Sequence, residues 1–168
     1  SLSASLGRVS ATRGTADDTF SLRFAMASGA EGVIQYCAGV FGPTMDLAHF
    51  AGSKGSLWIE NGKVLVADMS GTREIPVPDD LKLPPPPPIT TDPRHETPRW
   101  KMLVAVELAP YTMLCRALKA KMLGDPSPSP VLPATFTDGL AAMRILDAMR
   151  ASSVQGGALQ HVWQGHQP

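Results

Sequence analysis

Two stretches of the sequence begin like sites that hold metals or phosphates, but their spacing does not match such sites. His95-Glu96 starts the zinc-binding pattern H-E-x-x-H, yet the residue four positions after His95 is Arg99, and Pro98 interrupts the pattern. Gly52 to Ser56 reads G-S-K-G-S, whereas a phosphate-binding loop ends in G-K-[ST]. We therefore expect a turn at Gly52 to Ser56 and no zinc site at His95.

The other candidate residues are two histidines, two cysteines and an acidic pair. His161 and His166 could share a metal, but no third ligand lies near them, and ordinary histidines are the alternative. Cys37 and Cys115 lie in apolar contexts without C-x-x-C spacing, which favours buried thiols in a reducing compartment. Asp17-Asp18 favours a hydrated loop, with a metal or catalytic role as the alternative. We assign no catalytic, cofactor-binding or metal-binding residue to this chain.

The sequence also lacks the common fingerprints of nucleotide binding and nucleophilic catalysis. A dinucleotide site needs G-x-G-x-x-G between a strand and a helix, because the pyrophosphate must approach bare backbone at a helix N-terminus. Neither this pattern nor a G-x-S-x-G nucleophile elbow occurs in the 168 residues. We therefore expect the chain alone not to bind NAD(H) or NADP(H).

Length and charge narrow the class of protein. A chain of 168 residues suits one domain, spanning residues 1–168. The 15 basic and 15 acidic residues create no net field that would attract nucleic acid or an anionic membrane. No apolar run reaches the length of about 18 residues that a membrane-spanning helix needs. The sequence predicts a cytoplasmic protein that binds neither nucleic acid nor membranes.

The residues before position 80 predict strands. Apolar residues alternate with smaller or polar ones from Thr19 to Ala27, which is the period of a strand. Their apolar set is Phe20, Leu22, Phe24 and Met26. Ser28-Gly29 predicts a hairpin turn, and Asn61-Gly62 predicts a type I′ turn. The other expected strands are Leu6–Thr12, Gly32–Phe41, Met45–Phe50, Ser56–Glu60, Lys63–Asp68 and Thr72–Val77. The pattern thus favours one sheet of at least six strands, mostly antiparallel.

The later residues predict helices separated by proline-rich connections. Pro84 to Pro88 must be extended polyproline II. We interpret this segment as a stiff loop, and the alternative is a ligand of an SH3-like partner. Apolar residues at helical spacing from Trp100 to Leu123 predict a helix ending at Gly124, with a kink or restart at Pro110.

A second helix should begin near Thr135, whose hydroxyl can cap the amide of Asp138, and should end at Gly156-Gly157. Its expected buried residues are Leu140, Met143, Leu146 and Met149. Ala158 to Trp163 can add a final strand. Together the elements predict an α+β fold, an open, largely antiparallel mixed β-sheet with two main helices packed on one face.

A series of short motifs follows one another along the chain. They are Asp17-Asp18, Gly29, Gly52 to Leu57, Thr135 to Leu140, Asp147-Ala148, Ser152-Ser153 and Gly156-Gly157. In this order and spacing they resemble the C-terminal domain of the glucose-fructose oxidoreductase, inositol dehydrogenase and rhizopine-catabolism family, over nearly the whole chain. Gly52 to Leu57 looks like the family's G-T-K-G-T-L, and the later motifs are similar to its closing helix.

The resemblance implies a parent enzyme that moves a hydride between NAD or NADP and a sugar, a polyol or a related small molecule. Family members carry an N-terminal Rossmann domain with the nucleotide fingerprint, an E-K-P lysine, and an Asp and a His just before the strands. These features are absent from the 168 residues. The chain would then supply a wall of the substrate pocket and an oligomer interface without being catalytic alone. The alternative is a free-standing binding or assembly module that lacks the nucleotide domain.

The predicted sheet also suggests self-association. Two helices of this length can cover one face of a six-strand sheet and leave the other open. Alternation places Leu57 and Ile59 on one side and Trp58 on the other, so both faces hold large apolar groups. We therefore expect at least a homodimer through the open face. The alternatives are that a missing nucleotide domain or the loop at Pro84 to Pro88 covers this face.

Overall fold

The computed structural model describes residues 1–10, 14–39, 41, 46–83, 85, 97–126 and 132–162. In this part of the chain the elements, in order, are β1 (Leu2–Gly7), β2 (Thr19–Ala25), β3 (Glu31–Cys37), β4 (Ala48–Gly52), β5 (Gly55–Glu60), β6 (Lys63–Asp68), β7 (Gly71–Ile75), α1 (Pro98–Val106), α2 (Leu108–Leu123) and α3 (Phe136–Val154). The predicted α+β class is confirmed. The polyproline II prediction at residues 84–88 falls almost wholly outside the described residues.

The chain divides into two compact units, and each has its own sheet. The first unit comprises Ser1–Pro43 and Ala134–Pro168, and the second comprises Thr44–Pro133. The strand order is β1-β2-β3 in the first unit and β4-β5-β6-β7 in the second, and every pairing in both is antiparallel. The expectation of one sheet with at least six strands is therefore corrected to two sheets. Sequence patterns identify strands but do not state which of them pair across a long connection.

The first sheet begins earlier in the chain than expected. The predicted strand Leu6–Thr12 is observed as Leu2–Gly7, because Leu2, Ala4 and Leu6 alternate inward opposite the apolar residues of β2. Positions 11–13 lie outside the described residues. The β2–β3 hairpin turns where it was predicted, with Gly29 at φ 88° and the Met26 amide bonded to the Ala30 carbonyl at 2.8 Å.

The core of the first unit lies between its sheet and α3. Leu2, Ala4, Leu22 and Met149 are buried in one cluster. Around them pack the partly buried Leu6, Phe20, Phe24, Ala148 and Val162. The apolar positions of β2 therefore face inward as the alternation predicted.

Local residues set both ends of α3. Thr135 Oγ1 accepts a hydrogen bond from the Asp138 amide at 3.4 Å, and the Asp138 carboxylate accepts one from the Thr135 amide at 2.7 Å. Hydrogen bonds from the Thr135 amide and hydroxyl lower the pKa of Asp138. Gly156 and Gly157 follow the helix at φ 68° and 88°, a region that glycine occupies without strain. The predicted cap and stop are confirmed.

The predicted buried side of α3 is only partly correct. Met149 is 4% exposed, but Leu140, Met143 and Leu146 are 52%, 50% and 41% exposed. A helix of 19 residues is about 28 Å long, whereas a strand of six residues is about 20 Å long. The residues of α3 that reach the core lie in its C-terminal half, and the N-terminal half extends beyond it.

The C-terminal segment seals the edge of β1 without forming a full strand. The Ala4 amide donates to Ser152 Oγ at 2.8 Å, and the Leu6 amide donates to Ser153 Oγ at 3.0 Å. Of the predicted strand at Ala158–Trp163 the structure describes residues 158–162, and these form a single bridge in which Leu2 and Gln160 exchange two backbone hydrogen bonds of 2.8 Å. Edge amides that could pair with another chain are thereby satisfied within the unit.

The second sheet is a four-stranded meander with short turns. Asn61 and Gly62 have φ values of 50° and 75°, which confirms the predicted type I′ turn between β5 and β6. The β6–β7 turn is held by the Asp68 carboxylate, which accepts hydrogen bonds from Ser70 and Arg73. The Ser70 hydroxyl, and next the Arg73 guanidinium, hold the pKa of Asp68 far below its usual range.

The two faces of the second sheet differ in chemistry. One face carries six apolar residues that the strand register places side by side, Phe50, Leu57, Ile59, Val64, Val66 and Ile75, and the same register places Arg73 next to Val66 on this face. We call these six residues the apolar face. On it, Phe50 is 63% exposed and Ile59 is 42% exposed. The opposite face carries the ion pair between Lys63 and Glu74 at 2.9 Å, together with the edge-to-face contact of His49 and Trp58.

Helices α1 and α2 contact each other in the second unit, and the predicted restart near Pro110 is confirmed. The break falls at Glu107, so Pro110 occupies the first turn of α2, where a backbone amide needs no helical partner. Gly124 ends α2 at φ 74°, as predicted. Among the described helices, none has the length and apolar character needed to cross a membrane.

Candidate functional site

The polar face of the first sheet offers a set of side chains suited to binding a small polar molecule. Register places Ser3, Arg23 and Val33 in one row across the three strands. The next row consists of Ser5, Ser21 and Gln35. Successive side chains on a strand point to opposite faces, so these odd-numbered residues lie opposite the core of Leu2, Ala4 and Leu22. We refer to these two rows as the polar face.

A shallow depression of about 450 Å³ lies on the polar face. It is lined by Ser3, Ala4, Ser5, Ser21, Leu22, Arg23, Val33, Ile34, Gln35 and Gly157. The volume falls in the usual range for small-molecule sites, about 300 to 1,000 Å³. Most of the lining surface is apolar, but the lining also offers three hydroxyls, one amide and one guanidinium, and therefore both donors and acceptors of hydrogen bonds.

The turn after α3 brings Gly157 into this depression. The hydroxyl of Ser3 donates a hydrogen bond of 2.6 Å to the Gly157 carbonyl. The Gly157 amide in turn donates to the Ser152 carbonyl at 2.8 Å. Ser152 is fully buried, and its hydroxyl both accepts from the Ala4 amide and donates to the Ala158 carbonyl at 2.7 Å. This network fixes the closing turn against β1.

Arg23 is the one cationic residue of the polar face. Its Nη2 contacts Glu31 Oε2 at 3.1 Å, and the two side chains are 72% and 60% exposed. Exposed ion pairs of this kind contribute about 0–1 kcal/mol, because both partners remain hydrated. Arginine carries five N–H donors, so this single contact leaves most of the guanidinium free to bind another acceptor.

Three of the histidines and cysteines that the sequence singled out lie in the part of the chain that the structure describes. His161 is exposed, while His95 and His166 lie outside the described residues. Cys37 is partly buried at the end of β3, but Cys115 is exposed on α2. The expectation of a buried thiol at Cys115 is therefore wrong, because this position of α2 does not face a core. Over the described ranges, no group of three or more His, Cys, Asp or Glu residues could hold a metal ion.

The acidic pair before β2 has a structural role for one of its members. Asp17 is exposed, as expected for a hydrated loop. The Asp18 carboxylate accepts hydrogen bonds from the amides of Val9 and Ser10 at 2.7 and 2.8 Å. It thereby ties the end of the β1–β2 connection to its beginning. Gly52 to Gly55 forms the tight turn between β4 and β5 that its sequence predicts.

Sequence reasoning assigned no role to the residues of the polar face or to Ser152. The alternation of β2 already separated Ser21 and Arg23 from the core positions, and the turn at Gly29 fixes which β3 residues lie beside them. These two signals together could have identified Gln35 as a neighbour of Ser21. No local signal points to the contact of Ser152 with Ala4, because the two residues are 148 positions apart.

Comparison with solved structures finds the same fold in part of other proteins. The chain is similar to an oxidoreductase from Agrobacterium radiobacter, solved in complex with NAD+, L-tartaric acid and magnesium, with a TM-score of 0.60 and 14% identity. It is also similar to a putative oxidoreductase from Thermotoga maritima, with a TM-score of 0.54 and 16% identity. No family model and no curated protein matches the sequence.

Both similarities include most of this chain and a minor part of the other protein. The alignments cover 92% of this chain, but 41% of the Agrobacterium protein and 38% of the Thermotoga protein. The chain therefore spans about two-fifths of the length of these oxidoreductases. At this level of identity the comparison establishes a shared fold with one portion of each enzyme.

Proposed function

We propose that this chain is the C-terminal domain of an NAD(P)-dependent oxidoreductase of the glucose-fructose oxidoreductase, inositol dehydrogenase and rhizopine-catabolism family. The observation that carries the proposal is the fold match over 92% of the chain to two-fifths of an oxidoreductase solved with NAD+. The order of sequence motifs, including Gly52 to Leu57 and the capped helix at Thr135, supports the same assignment. The substrate would be a sugar, a polyol or a related small molecule.

The proposal divides the work between this chain and a nucleotide-binding domain elsewhere in the enzyme. A dinucleotide site is built on parallel strands with a glycine-rich turn before a helix. The described strands pair only in antiparallel fashion, and the sequence carries no such glycine pattern. NAD or NADP would accept or donate the hydride in the other domain, and this chain's residues would bind and orient the substrate.

The polar face is the part of the chain that suits this role best. Sugars and polyols are recognised through hydrogen bonds to their hydroxyl groups, and the depression offers Ser5, Ser21 and Gln35 for that purpose. Their strands are paired on a rigid sheet whose other side is packed against α3. The paired strands therefore fix the backbone positions from which these polar side chains project before the substrate arrives.

The apolar face of the second sheet would form the oligomer interface. The solvent-exposed face of an antiparallel sheet normally carries polar side chains, whereas this face carries six aliphatic or aromatic side chains on four adjacent strands. Contiguous apolar surfaces of this kind usually mark an interaction site. A second copy of the chain is the occupant we propose, since a face of this shape can pair with its own twofold copy.

The test is an activity assay of the complete gene product. The reading frame around this chain is sequenced, the encoded protein is purified, and reduction of NAD+ or NADP+ is followed with a panel of polyols, aldoses and hydroxy acids. We expect an in-frame Rossmann domain upstream and nicotinamide reduction with at least one member of the panel. A reading frame that encodes this chain alone would overturn the proposal. The chain would then be interpreted as a free-standing binding module.

A further inference from the structure

The polar face combines one cation with several hydrogen-bonding groups that have no partner among the described residues. The side chains of Ser5, Ser21 and Gln35 make no hydrogen bond to any described residue. Arg23 lies in the adjacent row and uses one nitrogen in its contact with Glu31. We propose that this depression binds a small polyhydroxylated carboxylate, with Arg23 holding the carboxylate and the neighbouring row holding hydroxyls. The identity of this ligand as the substrate rests on the function proposed above.

The spacing of the sheet suits a ligand of a few carbon atoms. Neighbouring strands lie about 4.8 Å apart, and residues two positions apart on one strand lie about 6.7 Å apart. Ser5 and Ser21 are directly paired across β1 and β2, so their hydroxyls can contact adjacent oxygens of one molecule. Arg23 follows Ser21 by two positions on β2. A carboxylate two or three carbons from a hydroxyl would reach both rows at once.

The pair between Arg23 and Glu31 does not preclude an anion at this point. The guanidinium binds carboxylates through two parallel N–H donors, and its contact with Glu31 is a single one of 3.1 Å. Glu31 lies at the start of β3, diagonal to Arg23. A ligand carboxylate therefore competes with a weak, hydrated contact, and removing the Glu31 charge should strengthen anion binding.

The discriminating probes are D-gluconate and sorbitol. Both are six-carbon chains of hydroxyls, and they differ in that one end of gluconate is a carboxylate. Each is titrated into the ¹⁵N-labelled chain, and the amide signals of Ser5, Ser21 and Arg23, together with the Gln35 side-chain amide, are followed. We expect saturable shifts with gluconate, with a dissociation constant on the order of millimolar, and at least about tenfold weaker binding of sorbitol.

Three variants separate the proposed contact from a general charge effect. Arg23→Gln should weaken gluconate binding about tenfold or more and leave sorbitol binding unchanged. Glu31→Gln should tighten gluconate binding. Arg150→Gln is the matched control, because Arg150 is an exposed arginine of the same unit that also pairs with one carboxylate, that of Asp147 at 3.1 Å. It should behave as the unchanged chain, and the dispersion of each spectrum verifies that the variant is folded.

The proposal is overturned if gluconate causes no saturable shifts, if sorbitol binds as tightly, or if Arg23→Gln and Arg150→Gln weaken gluconate binding equally. The measurement requires neither nucleotide nor turnover. A failure here therefore leaves the oxidoreductase assay of the complete gene product as an independent test of the proposed function.

Discussion

The two sheets of this protein use similar alternating strands, but within the described residues only the first has a face covered by its own helix. Leu2, Ala4 and Leu22 of the first sheet are buried, together with Met149 and Ser152 of α3. Among the described residues of the second unit only Ala117, on α2, is buried, and no strand residue is. The apolar face of the second sheet thus has the composition of a core without the burial of one. An apolar alternation in the strands therefore predicts that one face of a sheet is suited to burial. It does not predict what packs against that face.

The largest expected effect is the loss of self-association when a charge is placed on the apolar face. Ile59→Glu should convert the protein to a monomer, because an unpaired carboxylate cannot be buried between two apolar surfaces without a large desolvation cost. Light scattering or sedimentation of the purified chain measures the mass.

The control for this substitution is Thr72→Glu, at an exposed position of β7 that points to the opposite face. It should leave the assembly intact. A chain that is monomeric before substitution would contradict the proposed interface, and so would dissociation by Thr72→Glu but not by Ile59→Glu.

The second effect concerns the closed core. Leu22→Ala should lower the free energy of unfolding by about 2–5 kcal/mol, since Leu22 is 7% exposed and its removal leaves a cavity. Leu57→Ala on the second sheet should cost less, because Leu57 is only half-buried. Urea denaturation of both variants in the Ile59→Glu background excludes any contribution from self-association. Equal losses of unfolding free energy for the two variants would mean that Leu57 is as fully buried as Leu22.

A smaller loss is expected at the sealed edge of β1. Ser152→Ala should cost about 1–3 kcal/mol, because the buried Ala4 amide would lose its partner, and the Ala158 carbonyl, which is only partly buried, would lose its partner as well. Ser21→Ala, at an exposed hydroxyl without a partner among the described residues, should change the free energy of unfolding by less than about 0.5 kcal/mol. Thermal denaturation followed by circular dichroism compares the two. If Ser152→Ala leaves the free energy of unfolding unchanged, the hydrogen bonds of Ser152 contribute nothing to stability.

The smallest expected effect lies at the start of α3. Thr135→Ala should cost about 1 kcal/mol at neutral pH, and Thr137→Ala, which removes no cap, should cost almost nothing. Because the folded state lowers the pKa of Asp138, the stabilisation from its carboxylate is present above its unfolded pKa of about 3.9 and is lost as pH falls through the folded value. The stability difference between the protein and Asp138→Asn should therefore shrink below about pH 4. A difference that grows with acid would contradict the capping box.

Features encoded by neighbouring residues were predictable from the sequence. Asn61-Gly62 and Ser28-Gly29 specify their hairpins because glycine or asparagine is needed where φ is positive. Thr135 and Asp138 specify the start of α3 through contacts three residues apart.

Features that depend on distant residues were not predictable in the same way. The division into two sheets, the exposure of Leu140 and Met143, and the seal at Ser152 each depend on which segments meet in space. The same limit applies to the candidate site. Alternation separates the polar face from the core, but the contact of Ser3 with Gly157 joins residues 154 positions apart.

Calorimetric titration of NAD+ and NADP+ tests the central claim most directly, namely that this chain is the substrate-binding and oligomerising part of a nucleotide-dependent oxidoreductase. The nucleotides are titrated into the 168-residue chain and into the complete gene product under the same conditions. We expect saturable binding of at least one nucleotide to the complete gene product and none to the chain alone. Micromolar binding to the chain alone, or no binding to the complete gene product, would contradict the claim.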